Sequence, residues 1–324
     1  MSKVKRRILV TGANGFVGRR LCRTAAARGI LVRPVTRRED RRNLQGLSDV
    51  AVVNDIGPLT DWTSVLSDID IVIHLAARVH VMKESVKDPL DEYRRVNVEG
   101  TRCLALAAAK SGVKRFVYVS TVKVNGERTY HHPFSEKDAP SPQDPYATSK
   151  CEAEEVLLTI SKSFGIEVVI VRPPLVYGPG VKGNMFSLMR YVARGLPMPF
   201  GGINNIRSFI SLDNLCDVLI CSATKAACAG HTFVVSDGED LSTPELIKLI
   251  AGAMNRKSHL INIPEKVFSI FGSVLPAFRP ISERLTGSLV IDSSLFRRVA
   301  EWIPVQTVND GIKAMVEEYL LKCR

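Results

Sequence analysis

The chain has 324 residues, 45% hydrophobic and 24% charged, with 44 Lys and Arg against 33 Asp and Glu and a formal charge of +11. That is enough to bury a full core, as one large α/β unit or a main domain with a smaller partner, while the lack of a long apolar run argues against a membrane span. The positive balance favours an anionic partner, but the basic runs Lys3 to Arg7 and Arg37 to Arg42 carry no interleaved aromatic residues, which argues against single-stranded nucleic acid.

Met1 to Arg7 leads only into Ile8-Leu9-Val10 before a glycine turn, so neither a signal peptide nor a stable membrane anchor is expected. Seven cysteines are scattered without a Cys-x-x-Cys pair, which points to a reducing cytoplasm and no structural zinc; His131-His132 has no ligand-spaced partner and reads as solvated.

Along the chain, short apolar runs alternate with stretches of helical period, the pattern of repeated βαβ units. Strands are expected at Arg7 to Thr11, Leu31 to Val35, Val50 to Asn54, Ile69 to Leu75, Phe116 to Ser120 and Glu167 to Val171. Helices are expected at Gly15 to Arg28, Asp91 to Ser111 and Tyr146 to Phe164. The fold class is therefore α/β, a Rossmann-type doubly wound parallel sheet of six strands with a smaller C-terminal substrate-binding domain. The long loop Asn125 to Asp144, punctuated by prolines, reads as a lid or site wall. After Val171 the pattern becomes irregular, so residues 1–175 are assigned to the sheet domain and 176–324 mainly to the smaller one, interleaved with elements returning to the sheet. Ser242-Thr243-Pro244-Glu245 spells a capped helix start, and the apolar segment Val267 to Phe278 is expected to pack in the smaller domain.

The first strand runs into Thr11-Gly12-Ala13-Asn14-Gly15-Phe16-Val17-Gly18. Glycines at this spacing let the backbone turn tightly and approach a pyrophosphate at the positive end of the following helix, so a nicotinamide dinucleotide is expected there. At the end of the second strand, where an NAD-binding chain would carry an acid for the ribose, the sequence reads Thr36-Arg37-Arg38. Arginine suits the extra 2′-phosphate, so NADP(H) is favoured and NAD(H) remains open. Asp55-Ile56, after the third strand, is placed against the adenine.

Tyr146 and Lys150 stand four apart on one helix face. A neighbouring ammonium stabilises a phenolate, so the tyrosine pKa is expected to fall toward working pH, fitting it to exchange a proton with a carbonyl or carbinol. Ser120-Thr121 ends a strand at the carboxyl edge of the sheet, where a hydroxyl can hold the reacting oxygen.

Together the glycine turn, His74-Leu75-Ala76-Ala77, Asn97-Val98-Glu99-Gly100-Thr101, Val119-Ser120-Thr121, Tyr146 with Lys150, and Arg172-Pro173-Pro174-Leu175-Val176-Tyr177-Gly178-Pro179 resemble the extended short-chain dehydrogenase/reductases. More narrowly, the chain resembles the NAD-dependent epimerase/dehydratase family acting on sugar nucleotides. The resemblance implies Thr121, Tyr146 and Lys150 as catalytic residues, with Lys150 also on the nicotinamide ribose. It implies a cofactor site formed by Gly12, Asn14, Gly15, Phe16, Val17, Gly18, Arg37, Arg38, Asp55, Ile56, Leu75, Ala76, Ala77, Asn97, Tyr146, Lys150 and Pro173. Substrate would meet Thr121, Leu175, Arg207 on its diphosphate, and Arg284. His74 would pack beside the cofactor, Asp213 would be structural, and the helices bearing Cys103 and Cys151 would pair two subunits.

Departures narrow the chemistry. Family dehydratases carry Asp-Glu after the strand-five threonine; here Val122-Lys123 stands there, which argues against water loss. Leu175 replaces a frequent asparagine, and Asn125-Gly126 replaces the tyrosine-glycine of many epimerases. With the arginines after strand two, these changes tilt the reading to reduction of a UDP-4-keto-6-deoxy-N-acetylhexosamine for surface polysaccharide. The alternative is a UDP-hexose 4-epimerase with tightly bound NAD. A dinucleotide sensor without turnover would not need the Thr121, Tyr146 and Lys150 set.

Overall fold

The computed structural model describes residues 6–37, 44, 46–79, 89–264 and 286–323. Its strands are β1 Arg7–Thr11, β2 Leu31–Thr36, β3 Ala51–Val52, β4 Ile71–His74, β5 Arg115–Val119, β6 Glu167–Arg172, β7 Leu175–Tyr177, β8 Phe209–Ser211 and β9 Thr232–Val234. Seven form one sheet in the order β3-β2-β1-β4-β5-β6-β9, every pair parallel, while β7 and β8 form a separate two-stranded sheet. The sheet thus has one strand more than the six expected, because β9 arrives from the C-terminal half and pairs with β6.

The helices are α1 Phe16–Ala27, α2 Pro89–Tyr93, α3 Gly100–Lys110, α4 Pro145–Phe164, α5 Gly183–Ala193, α6 Leu212–Thr224, α7 Thr243–Ala253, α8 Ser294–Val299 and α9 Val308–Lys322. The single helix expected over Asp91 to Ser111 is instead α2, a π-helix at Arg94–Glu99 and α3 in succession. The wider π turn carries Asn97 into the interior, where it is fully engaged, and such segments recur at functional sites.

The strands read as near-continuous apolar runs because both faces of the sheet are covered. Ile8, Val10, Val117, Val169 and Phe233 pack under α1, α6 and α8, whereas Leu9, Val72, Phe116, Val168 and Ile170 pack under α3 and α4. Each such side chain contributes about 1.5–3 kcal/mol. A third cluster, with Tyr177, Met185, Phe209, Ile250, Ile312 and Met315, packs β7, β8, α5, α7 and α9 into one lobe. Asp237 anchors that lobe, accepting from the Tyr177 hydroxyl at 2.8 Å and from Asn214 Nδ2 at 2.7 Å. The helix start at Ser242 forms a reciprocal capping box with Glu245.

Since β2 and β3 lie on one side of β1 and β4 on the other, the carboxyl ends of β1 and β4 open a crevice at the point where the strand order reverses. Arg20 of α1 pairs with Asp213 of α6 at 2.8 Å, which gives Asp213 a structural role at the helix interface.

Candidate active site

The glycine turn is built as its spacing demands. Gly12 has φ +68, and a Cβ there would lie 2.9 Å from the Ala76 amide; a Cβ on Gly18 would lie 2.2 Å from the Gly12 carbonyl oxygen. The turn is therefore closed to side chains on the flank it presents to the β4 edge. Gly15 caps α1 with no side-chain bond, and no acidic residue stands in the first turn, so the positive helix end is left for an anion. Asn14, Phe16 and Val17 complete this turn. This narrow cradle with an open helix start fits a dinucleotide pyrophosphate.

Behind it lies a buried polar chain. Thr11 Oγ1 accepts from the amides of Leu75 and Ala76, each at 3.2 Å, so its own proton goes to His74 Nδ1 at 2.7 Å. That assigns the His74 proton to Nε2, which donates to Thr101 Oγ1 at 3.0 Å. Burial, aided by the Lys150 charge, pushes the His74 pKa down to about 3, so the ring is neutral. His74 thus fixes the β4 edge that carries Leu75, Ala76 and Ala77.

Arg37, just past the end of β2, is exposed. Asp55 pairs with Arg95 at 2.7 Å, and this bond, with the nearby Arg37 charge as a lesser cause, holds its carboxyl below the usual range. The Ile56 side chain is buried against Gly100 of α3. Arg38 lies outside the described residues, as do Arg284 and the segment Val267 to Phe278.

Asn97 is spent inside the protein: its Oδ1 accepts from the Arg78 amide at 2.8 Å, and its Nδ2 donates to the Arg78 carbonyl at 3.1 Å and to Ser149 Oγ at 3.0 Å. It ties the loop after β4 to α4. The buried Pro173 offers its carbonyl to the Val122 amide at 3.0 Å.

α4 carries Tyr146 and Lys150. Asp144 caps the helix by accepting from the Ala147 amide at 2.7 Å, and Pro145 opens the first turn. The buried Lys150 ammonium donates to the Val119 carbonyl at 2.6 Å and lies 4.0 Å from the Tyr118 ring centroid. Burial draws its pKa down to about 7, with Glu154 opposing. Thr121 lies two residues beyond Val119, half-buried, its hydroxyl accepting from the Lys123 amide at 3.3 Å. Beside it the buried Ser120 Oγ has no partner among the described residues, a hydroxyl left over at the sheet edge.

The phenol of Tyr146 departs from expectation. Its pKa is raised, not lowered, by burial first and then by the Asp144 charge and Tyr93, whose ring stands edge-on at 6.2 Å. Spacing revealed the lysine but not the carboxylate two residues before the tyrosine. Lys123 offsets that carboxylate, donating to Asp144 at 2.5 Å and to Glu127 at 2.9 Å.

Leu175 on β7 is 49% exposed. Arg207, just before β8, is clamped by main-chain bonds to Leu241 at 2.9 Å and by its own Nη1 to the Gly287 carbonyl at 2.8 Å. The long loop is fastened as a wall: Asn125 Nδ2 donates to the Ser135 carbonyl, Thr129 and Phe134 bond residues 288 and 290, and Arg172 holds Asn125 and Glu154. Arg128, which the sequence alone did not single out, belongs to this loop.

Among the described residues no cluster of His, Cys, Asp and Glu could hold a metal ion, and no helix is long and apolar enough to cross a membrane.

A doubly wound parallel sheet with a glycine turn on its first strand, and a threonine, tyrosine and lysine at the end of β5 and the start of α4, defines an enzyme of the extended short-chain dehydrogenase/reductase type. The chain belongs to the NAD dependent epimerase/dehydratase family, whose model matches residues 8–236. It is 40% identical to a UDP-glucose 4-epimerase of Vibrio cholerae, over 98% of this chain and 97% of that protein. It is 29% identical to the N-acetyl-α-D-glucosaminyl-diphospho-ditrans,octacis-undecaprenol 4-epimerase of Escherichia coli O157:H7, over 79% of this chain and 75% of that one. Its fold matches the UDP-glucuronic acid 4-epimerase of Bacillus cereus in complex with NAD, with TM-score 0.79, 22% identity and coverage of 98% and 100%. The fold likewise matches a Thermotoga maritima UDP-glucose 4-epimerase with UDP-glucose, with TM-score 0.76, 21% identity and coverage of 98% and 100%.

Proposed function

We propose that this enzyme acts at carbon 4 of a UDP-sugar and interconverts the two configurations there, as a nucleotide-sugar 4-epimerase. The observation that carries this reading is the Lys150 bond to the Val119 carbonyl, which ties the helix bearing Tyr146 and Lys150 to the strand that leads into Thr121, in a fold whose first strand ends in a turn shaped for a dinucleotide. The similarity to a UDP-glucose 4-epimerase along almost the whole chain favours epimerisation over net reduction.

Gly12, Gly15 and Gly18 would receive the pyrophosphate, Arg37 and Asp55 would flank the adenosine end, and Leu75 to Ala77 with Pro173 would line the path to the nicotinamide. When bound, the dinucleotide supplies reversible hydride exchange with carbon 4. Tyr146 as the phenolate would take the proton of the C4 hydroxyl as hydride leaves carbon 4 and give it back as hydride returns; because burial and the Asp144 charge raise the phenol pKa, that phenolate depends on positive charge brought close to it. Thr121 orients that oxygen with its hydroxyl. Lys150, anchored on the Val119 carbonyl, holds the ribose and presents positive charge beneath the phenol once the site is filled. Arg207 receives the diphosphate. Two subunits pairing through α3 and α4 in the cytoplasm form part of the same proposal.

A second reading, NADPH-dependent reduction of a UDP-4-keto-6-deoxy-N-acetylhexosamine, is favoured by one observation: the exposed Arg37 at the end of β2, where NAD enzymes of this fold carry an acid. Lys123, paired with Asp144 and Glu127, argues against dehydration under either reading. Incubating the protein with UDP-glucose or UDP-N-acetylglucosamine, with and without added NAD, and following the sugar by NMR tests the proposal. C4 epimers without net cofactor turnover support epimerisation. Stoichiometric loss of NADPH with the 4-keto substrate, and no epimers, would replace it by the second reading.

A further inference from the structure

The loop after β5 is joined to segments far apart in the chain. The main chain at residues 206–208 is bonded to Leu241 on one side and to Leu289 on the other, and Thr129 bonds Ser288, with its hydroxyl accepting from the Val290 amide. Arg128 therefore enters beside the segment that also receives Arg207 Nη1 at the Gly287 carbonyl. The two guanidinium groups are close enough that Arg128 depresses the Arg207 pKa, second only to burial, while Glu127 opposes.

Arg128 Nη2 is shut away from solvent and has no hydrogen-bond partner among the described residues. A buried donor without a partner, on a cation set against another cation, is a costly arrangement that an oxyanion relieves on both counts. The neighbouring carboxylate of Glu127 does not fill that role by contact with Arg128: its Oε1 accepts from Lys123. Guanidinium donors match phosphate and carboxylate oxygens in pairs.

We propose that Arg128 and Arg207 together form a two-arginine subsite for an oxyanion of the nucleotide sugar, with Arg128 as a residue that sets substrate affinity. The inference rests on the UDP-sugar reading above. Two parts of such a substrate share the required chemistry: the diphosphate that links nucleoside to sugar, and a carboxylate on the sugar ring. Arg128 stands seven residues beyond Thr121 on the segment that continues from β5.

The test measures binding, without turnover, on the full chain: calorimetric titration of wild type, Arg128→Gln and Arg128→Lys with uridine, UDP, UDP-glucose and UDP-glucuronate. The expected result is that Arg128→Gln weakens UDP and UDP-glucose at least tenfold, as loss of a charge-assisted bond requires, leaves uridine unchanged, and is partly restored in Arg128→Lys. Weakening confined to UDP-glucuronate would assign the subsite to a sugar carboxylate. Thermal melts accompany the titrations, because Arg128→Gln removes an unsatisfied buried cation and is expected to melt no lower than wild type, which a merely structural arginine would not allow. Equal affinities of wild type and Arg128→Gln for all four ligands would overturn this proposal and leave the UDP-sugar reading intact. Failure of wild type to bind any uridine nucleotide would overturn that reading and this one with it.

Discussion

Lys150 donates to the Val119 carbonyl at 2.6 Å, so the helix that carries Tyr146 is pinned to the last residue of β5, two residues before Thr121. This bond crosses from α4 to the end of β5 and holds the segments of Tyr146 and Thr121 in one frame. It also holds an ammonium in a place water does not reach, which makes the residue costly for the empty protein.

That cost has a pH signature. The folded Lys150 pKa lies near 7 against an ordinary 10.5, so between these values the unfolded chain binds the extra proton. Stability from this group therefore rises from pH 7 to 10.5 and is lowest at and below 7. Lys150→Met without cofactor is expected to be more stable than wild type by on the order of a few kcal/mol near pH 6.5, at roughly 1.4 kcal/mol per pKa unit, with the advantage shrinking by pH 9.5. Urea titrations at both values check this; a difference independent of pH would contradict it.

His74 acts with the same sign in a more acidic window. Its folded pKa near 3 lies below the unfolded 6.5, so its contribution is complete above pH 6.5 and is lost progressively as pH falls toward 3. A His74→Gln variant, compared with wild type by denaturant midpoint from pH 7 to 4, is expected to lose less stability over that interval. Parallel curves would show that the ring is not held neutral.

Tyr146→Phe removes the proton carrier and keeps the ring packing against Tyr93. Turnover is expected to fall by about 10²–10⁴-fold while UDP affinity stays within a factor of a few. Turnover at the wild-type rate would show that another group moves the proton.

Asp144→Asn separates the two jobs of its side chain. Asparagine still caps α4, but the charge that raises the Tyr146 pKa is gone. The limb of the pH–rate profile that reports the phenol is expected to move to lower pH with little change in melting temperature. Lys123→Met, which leaves Asp144 unopposed, is expected to move it upward. Profiles that superimpose would remove Asp144 from the electrostatics of the site.

Gly18→Ala sets a methyl group 2.2 Å from the Gly12 carbonyl oxygen. Backbone must move, at about 1–3 kcal/mol, so the melting temperature is expected to drop by several degrees and dinucleotide binding to weaken sharply. Fluorescence titration with NADH and a thermal melt read both.

What was legible in the sequence depended on locality. The glycine turn, the Tyr146 and Lys150 pair, and the capping box at Ser242 are each written within a few residues, and the structure contains all three. β9 was not legible: three residues, Thr232-Phe233-Val234, become a strand only because β6 has a free edge. Arg128 was hidden for the same kind of reason, since its setting depends on main-chain bonds between Thr129 and Ser288. The raised phenol pKa was missed because a spacing rule sees Lys150 but not the burial that outweighs it.

The π-helix at Arg94–Glu99 makes this part of the chain unusually intolerant of changes in length. An α-helix turns about 100° per residue, so deleting one residue from the segment would let it wind as an ordinary helix while swinging α3 through roughly that angle. Thr101 would leave His74, and Leu104 would leave the core, although no side chain had been replaced. In this stretch the number of residues is itself part of the information, and a tolerated substitution is no guide to a tolerated deletion.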